Sequence, residues 1–399
     1  MSSVKTVASA ITVIIGFAAL IAAGTGASIA PSSSVLTTPA SVPTQTILPT
    51  AATLPTVPFL ATLPTTLPSK ISLQDSPISV KPTPNVSLEP IQPSIILSEI
   101  QQENQGWNNC GPASLKMVLG YYGRDDTQQE IAAFAKPDSY DVNVSADELV
   151  AYARKIGMAG MTRENGATDI LKAFLSNGLP VIIETGMTQY GDGWIAHDKV
   201  LIGYDDKQFI FMDPLASPNQ KVSFDAMDAE WQALNRRYVV VYPSAMEPTV
   251  RAILGSEVND ATMYTNAVTR ARAEIAANPQ NAFAYFNLGT NLNGLQQYQD
   301  AAAAFDRARA IGLPWRMMWY QFGPYVAYLS AGRNNDVIAL ANATLAYADN
   351  LEESHYYKGM ALNALGQAGA ARYEFQSALL YNKNYLGAQR ALRRLSTPD

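Results

Sequence analysis

Soft metal ligands are almost missing from this chain: its 399 residues hold one cysteine, Cys110, and two histidines, His197 and His355. No intrachain disulfide can form. A structural zinc site, which needs about four such ligands, is excluded, and neither a metal nor a cofactor is expected. Charge is also scarce, at 16% of residues with a net charge of −6. There is no run of Lys or Arg, so the electrostatic footprint of a nucleic-acid binder is absent. The length suggests two or three domains, because single cores rarely grow past about 250–300 residues.

Proline is unevenly distributed. Thirteen of the 24 prolines fall between positions 31 and 95, among Ser, Thr and isolated aliphatics. At that density neither helices nor sheet ladders persist, so residues 31–95 read as an extended, largely disordered linker. Before it, Lys5 precedes the apolar run VASAITVIIGFAALIAA at residues 7–23, followed by the small residues of GTGASIA. This is the length of a long signal-peptide core and slightly short for a spanning helix. Residues 1–30 are therefore predicted to be a signal peptide or a signal anchor. Membrane attachment, if retained, would run through residues 7–23, and everything downstream would be extracytoplasmic.

From 96 to 243 the pattern is globular. CGPASLKMVLGYYG sets Leu115, Val118, Leu119 and Tyr122 at helical spacing and stops at Gly123. Pro112 sits in the first turn, where its missing N–H costs nothing. Cys110 is thus predicted at the N-terminal tip of a buried helix, where the dipole favours a thiolate and lowers the thiol pKa. Further helices are expected near 127–135, 146–156 and 167–177. Then the period switches to short β-rich runs, LPVIIETG, AHDKVLIGYDD, QFIFMDP and RRYVVVYP. Helices followed by an antiparallel sheet give an α+β arrangement.

A thiol nucleophile needs a base, and the base needs a group that fixes its tautomer. The chain supplies Cys110, His197 and Asp213 in that order, with His197 and Asp213 on strands joined by a hairpin. His197 has no competitor in this region. Asp213 does have rivals: Asp205 and Asp206, read mainly as turn residues, stay open as the orienting partner. Asp198, next to the histidine, should point to the opposite face of its strand.

The stretch Gln105-Gly-Trp-Asn-Asn-Cys110-Gly-Pro-Ala-Ser-Leu, with GLPVIIETG, AHDKVLIGYDD and MDP, resembles the bacteriocin-processing (double-glycine leader) peptidase-like family, a branch of the papain-like cysteine peptidases. The resemblance covers a little over a third of the chain. It implies a thiolate–imidazolium pair at Cys110 and His197, with Asp213 orienting the ring. It also implies an upstream glutamine that donates to the oxyanion beside the Cys110 N–H. Gln105 matches that glutamine with a spacing one residue shorter than in papain and the transporter-borne members, and Gln102 is the alternative. No ATP-binding cassette or multi-span segment is seen, which puts a double-glycine leader substrate in doubt.

After Pro243 the strand signals stop. AYFNLGTNL with Gly289, MWYQFGPYV with Gly323 and SHYYKGMAL with Gly359 recur at a spacing of about 35 residues. Downstream of the first and third come Ala301, Phe305 and Ala308, and Ala371, Phe375 and Ala378; the middle copy is degenerate. Residues 255–396 resemble tetratricopeptide repeats, which implies an all-α solenoid with a concave face for a peptide or protein partner. His355 reads as packing. The combined expectation is an exported cysteine peptidase or amidase acting on a peptide or protein, with Cys110, His197, Asp213 and Gln105 as its site. The rivals are a catalytically inactive cell-surface scaffold working through the repeats, and an acyl transferase to an amine. The composition shift near Pro243 further implies that residues 96–243 fold alone.

Overall fold

The computed structural model describes residues 86–189 and 193–396. The apolar run at 7–23 and most of the proline-rich stretch lie outside them. Among the described residues no helix is long and apolar enough to cross a membrane. All of them belong to one compact unit, Ile78–Asp399.

The first part interleaves seven strands and five helices: β1 (Ile95–Ile96), α1 (Cys110–Tyr121), α2 (Gln128–Ala135), α3 (Ala146–Lys155), β2 (Ala159–Arg163), α4 (Thr168–Ser176), β3 (Val181–Gln189), β4 (Gly193–Tyr204), β5 (Gln208–Met212), β6 (Gln220–Ser223), α5 (Phe224–Gln232) and β7 (Tyr238–Tyr242). The strands form one antiparallel sheet in the order β2-β7-β3-β4-β5-β6, with β1 added beside β4. The four expected helices and four expected strands are all there; β1, β2, β6 and α5 were not expected. Local chemistry explains the helix starts. Thr127–Glu130 and Ser145–Glu148 are reciprocal capping boxes that satisfy the first N–H groups of α2 and α3. All five residues of β7, YVVVY, are buried, so the sheet is covered on both faces there.

Packing onto the domain includes described residues before the expected boundary at 96. Gln92 donates its N–H to Ser176 Oγ at 3.1 Å, and its carbonyl accepts from the Tyr204 hydroxyl at 2.7 Å. Two prolines in this segment, Pro90 and Pro93, therefore mark an extended chain lying on the domain. A proline count cannot tell such a strap from a linker.

Ten further helices follow: α6 (Glu247–Leu254), α7 (Asp260–Ala277), α8 (Ala282–Gly294), α9 (Tyr298–Ile311), α10 (Met317–Tyr320), α11 (Gly323–Ser330), α12 (Asn334–Leu345), α13 (Glu352–Ala364), α14 (Ala368–Tyr381) and α15 (Leu386–Ser396). The small residues do what their spacing implied. A Cβ on Gly289 in α8 would stand 2.8 Å from the Phe305 ring of α9, and one on Gly359 in α13 would stand 2.6 Å from Phe375 of α14. Each ring fills the space that its glycine leaves. His355 is structural, as expected: Nδ1 meets Glu374 at 2.7 Å, Nε2 meets the Asp349 carbonyl at 2.9 Å, and the ring stacks on Tyr381.

The helices grip the sheet domain in three places. At one end Arg163 pairs with Asp260 at 2.6 Å and Arg236 with Glu274 at 2.8 Å, while the amides of Asn235 and Asn291 exchange hydrogen bonds of 2.7 and 3.0 Å. In the middle Trp194 of β4 stacks on Phe283 and meets Tyr320 edge-on. At the other end Asn382 donates to the Ala135 carbonyl and to Glu352, at 3.1 and 2.7 Å. Asn235, Asn291, Asn382 and Glu352 are all buried. A buried amide deprived of its partner costs about 1–3 kcal/mol. We therefore expect a 96–243 fragment to lack the cooperative urea transition of the full chain, monitored by tryptophan fluorescence. A sharp transition with the same midpoint would restore the modular reading.

The third grip is also acidic. Glu148 of α3 and the preceding Asp141 face Glu352 and Glu353 of α13; Lys136 spends its ammonium on the Asp141 and Trp107 carbonyls, and Glu352 Oε2 and Glu353 Oε2 are buried without partners. Burial, then repulsion from Glu352, pushes Glu148 up to about 8; Asp141 and Glu353 are also raised well above the carboxylate range. The folded chain thus holds protons that the unfolded chain releases near pH ~4. Stability gained from these groups is complete at or below that pH and is lost as pH rises towards about 8. The urea midpoint should fall between pH 5 and pH 8.5. Glu148→Gln combined with Glu353→Gln, which keeps the α3 cap, should flatten that fall; an unchanged slope would contradict this account.

Candidate active site

Segment 102–110 leads into α1 and carries Gln105 and Cys110. One buried side chain shapes it. Gln128 Oε1 accepts from the Gly106 N–H at 2.8 Å and from Asn109 Nδ2 at 3.0 Å, while its Nε2 donates to the Asn104 carbonyl at 2.9 Å and to Glu103 at 2.5 Å. Asn108 adopts φ 49°, a left-handed turn that Asn tolerates, directly before the helix. Cys110 is the first residue of α1, as its sequence context predicts.

The opposite wall comes from the sheet. His197 on β4 is buried, and its Nε2 lies 2.7 Å from Asp213 Oδ1, just past the end of β5. Asp213 Oδ1 also accepts the Leu215 N–H at 2.8 Å. Burial raises the Asp213 pKa, but the His197 hydrogen bond and charge outweigh it and hold the carboxylate below its usual range. A carboxylate only accepts, so Nε2 is the donor in this hydrogen bond. Asp205 Oδ1 instead caps its own turn through the Lys207 and Gln208 N–H groups, which removes it as the orienting partner.

The two walls are stitched together. Gln102 Nε2 donates to the Asp213 carbonyl at 2.7 Å, and the Gln105 N–H donates to the Pro214 carbonyl at 3.1 Å. Gln102 is thereby spent on the Asp213 loop. Gln105 lines the same cleft as Cys110 and His197, a space of about 530 Å³, and its buried Oε1 has no partner among the described residues. Of the two candidate glutamines, Gln105 is the one facing the thiol's cleft.

Residues 97–239 match the Peptidase_C39 like family. This region is a Peptidase_C39-like domain. Among solved structures, a putative C39-like peptidase from Bacillus anthracis is 20% identical, with a TM-score of 0.32, and the match covers 37% of this chain and 96% of that one. The peptidase domain of Streptococcus ComA, a bi-functional ABC transporter involved in a quorum sensing pathway, is 20% identical, with a TM-score of 0.30, covering 36% and 99%. No curated protein matches the chain.

One expectation fails in the C39-like domain. The helix tip does not leave Cys110 acidic. Burial first, and then the charge of Asp198, push the thiol up to about 12, although the N–H groups of Asp198 and Gly111 face the sulfur. Asp198 Oδ2 stands 3.9 Å from Sγ, and the thiol's hydrogen-bond partner is this carboxylate rather than His197. Strand alternation does turn Asp198 away from the imidazole, but towards α1, where it meets Cys110 and Gly111. Behind it Glu184 and Glu164 share Arg237, at 3.5 and 2.8 Å, and Asp198 itself is raised well above the usual carboxylate range by burial and by Glu184.

Asp198 and Gln128 were absent from the expected site. A polar residue beside the only histidine of this domain could have flagged the first; nothing in QQEIAAFA marks the second. Asp198→Asn should speed iodoacetamide alkylation of Cys110 at pH 9 by about tenfold, the equivalent of one pKa unit. An unchanged rate would remove Asp198 from the account of the thiol.

Proposed function

We propose that this chain is an exported cysteine peptidase or amidase that hydrolyses peptide or amide bonds. The observation that carries the reading is the His197 Nε2–Asp213 pair at 2.7 Å, opening onto the cleft that Cys110 and Gln105 share. In this scheme the Cys110 proton passes to His197 Nδ1 as a substrate carbonyl enters and the thiolate attacks. The oxyanion forms between the Cys110 N–H and the Gln105 amide. The imidazolium then protonates the departing amine, and water, deprotonated by the same ring, releases the acid from the thioester. Export rests on the apolar run at 7–23, and the helices after Pro243, read as tetratricopeptide-type repeats, would recruit a substrate or partner.

A raised resting thiol suits catalysis only if proton transfer is coupled to substrate entry. The same raised thiol, bonded to Asp198, is what favours the second reading, an inactive scaffold acting through its helices.

Purified wild-type protein and its Cys110→Ala variant, profiled against a peptide library, separate the two. Under the hydrolase reading cleavage disappears with Cys110→Ala and with His197→Ala. Gln105→Ala should lower kcat by about 10²–10³ without slowing alkylation of Cys110, because an oxyanion donor acts on the transition state and not on the resting thiol. No cleavage by wild type would leave the scaffold, and cleavage that survives Cys110→Ala would remove Cys110 as the nucleophile.

A further inference from the structure

The cleft is not completed by the C39-like domain. Arg316, Trp319 and Tyr320, at the start and end of α10, line it together with Cys110, His197 and Gln105. Tyr320 is anchored there: its ring packs on Trp194, and the Ala196 N–H faces its phenol oxygen. This fixes the short helix over the cleft and presents Arg316 to the space inside.

Arg316 is unusual among the cations near the site. Arg237 is held by Glu164 and Glu184, and Lys136 by two carbonyls. The Arg316 guanidinium lies 4.7 Å from the Trp315 ring centroid and 5.1 Å from that of Trp319. Among the described residues it has no ion pair or side-chain hydrogen bond, and its Nε is buried without a partner. An N–H withheld from water and left unpaired costs free energy, which a bound acceptor would return. Two indole faces hold the guanidinium plane in place while leaving its donors open, the arrangement suited to a bidentate carboxylate.

We propose that Arg316 is the specificity-determining residue of this cleft and reads a carboxylate on a peptide substrate, from an Asp or Glu side chain or a chain terminus, near the bond presented to Cys110. The proposal rests on the peptidase reading for turnover, but it is tested by binding. Full-length Cys110→Ala protein would be titrated with hexapeptides of Ala and Gly carrying one Glu, Gln or Lys at each position in turn, with free or amidated C-termini.

Glu should bind about tenfold or more tightly than Gln at one position, as expected for a hydrogen bond to a charged group. If the carboxylate is instead terminal, amidation should produce that loss. Arg316→Gln should erase the difference while leaving the neutral peptide's affinity and the urea midpoint unchanged, and Arg316→Lys should restore only part of it. Loss of binding by acidic and neutral peptides alike in Arg316→Gln, equal affinities in the Cys110→Ala parent, or no binding by it would overturn the proposal. A carboxylate preference in the Cys110→Ala protein, with no cleavage by wild type, would sink the hydrolase and leave Arg316 standing.

Discussion

The site depends on one buried amide. Gln128 satisfies four polar groups of segment 103–109, among them the side chain of the buried Asn109. That segment cannot be regular structure, since it must turn through Asn108 to deliver Cys110 at the first position of α1. An irregular loop needs a side chain in place of a ladder, and Gln is suited because it both donates and accepts. Once the loop is fixed, its Gln102 and Gln105 reach the Asp213–Pro214 turn. The walls that carry Cys110 and His197 are thereby held in register by hydrogen bonds to backbone.

Electrostatics then opposes the nucleophile. Three carboxylates, Asp198, Glu184 and Glu164, lie behind the thiol with Arg237 as the cation bonded to two of them. Low dielectric magnifies any uncompensated charge, so the cheaper state keeps protons on some of these acids and on sulfur. The helix dipole contributes only a partial charge over its first turn, and burial together with the Asp198 carboxyl 3.9 Å from the sulfur outweighs it. A thiol made this reluctant reacts only when something in the cleft alters the balance. In the proposed hydrolase, substrate entry, which displaces water and brings an acceptor for the His197 proton, would be that change.

What the sequence made legible follows from periodicity and from rarity. The 3.6-residue spacing of Leu115, Val118, Leu119 and Tyr122 placed α1, and the short β-rich runs placed β3, β4, β5 and β7. Having one Cys and one nearby His left little choice of nucleophile or base. What stayed hidden has no local signature. Strand β2 is five residues of AGMTR, with a β pattern too weak to stand apart from a loop. Asp198 was expected to turn away from the imidazole and did, but no rule of alternation says what waits on the other face. The segment around Gln92 shows the same limit, since an extended proline-rich chain looks alike whether solvated or packed.

The seam near Pro243 was hardest to judge, because a change of secondary-structure type resembles a change of domain. Here the change of type coincides with shared burial. Asn235 and Asn291 satisfy each other across it, Trp194 reaches out of the sheet into the helical core, and α10 closes over the cleft from the far side. Each contact makes demands on both regions: a buried amide needs its mate, and an indole lifted out of its own sheet needs another core to enter. A helical array tied down at both ends cannot vary its placement over Cys110 as a free recruiting arm would. Its side chains at the cleft are therefore held with the same precision as the peptidase fold's own, which is the condition under which Arg316 can discriminate between substrates rather than merely attract them.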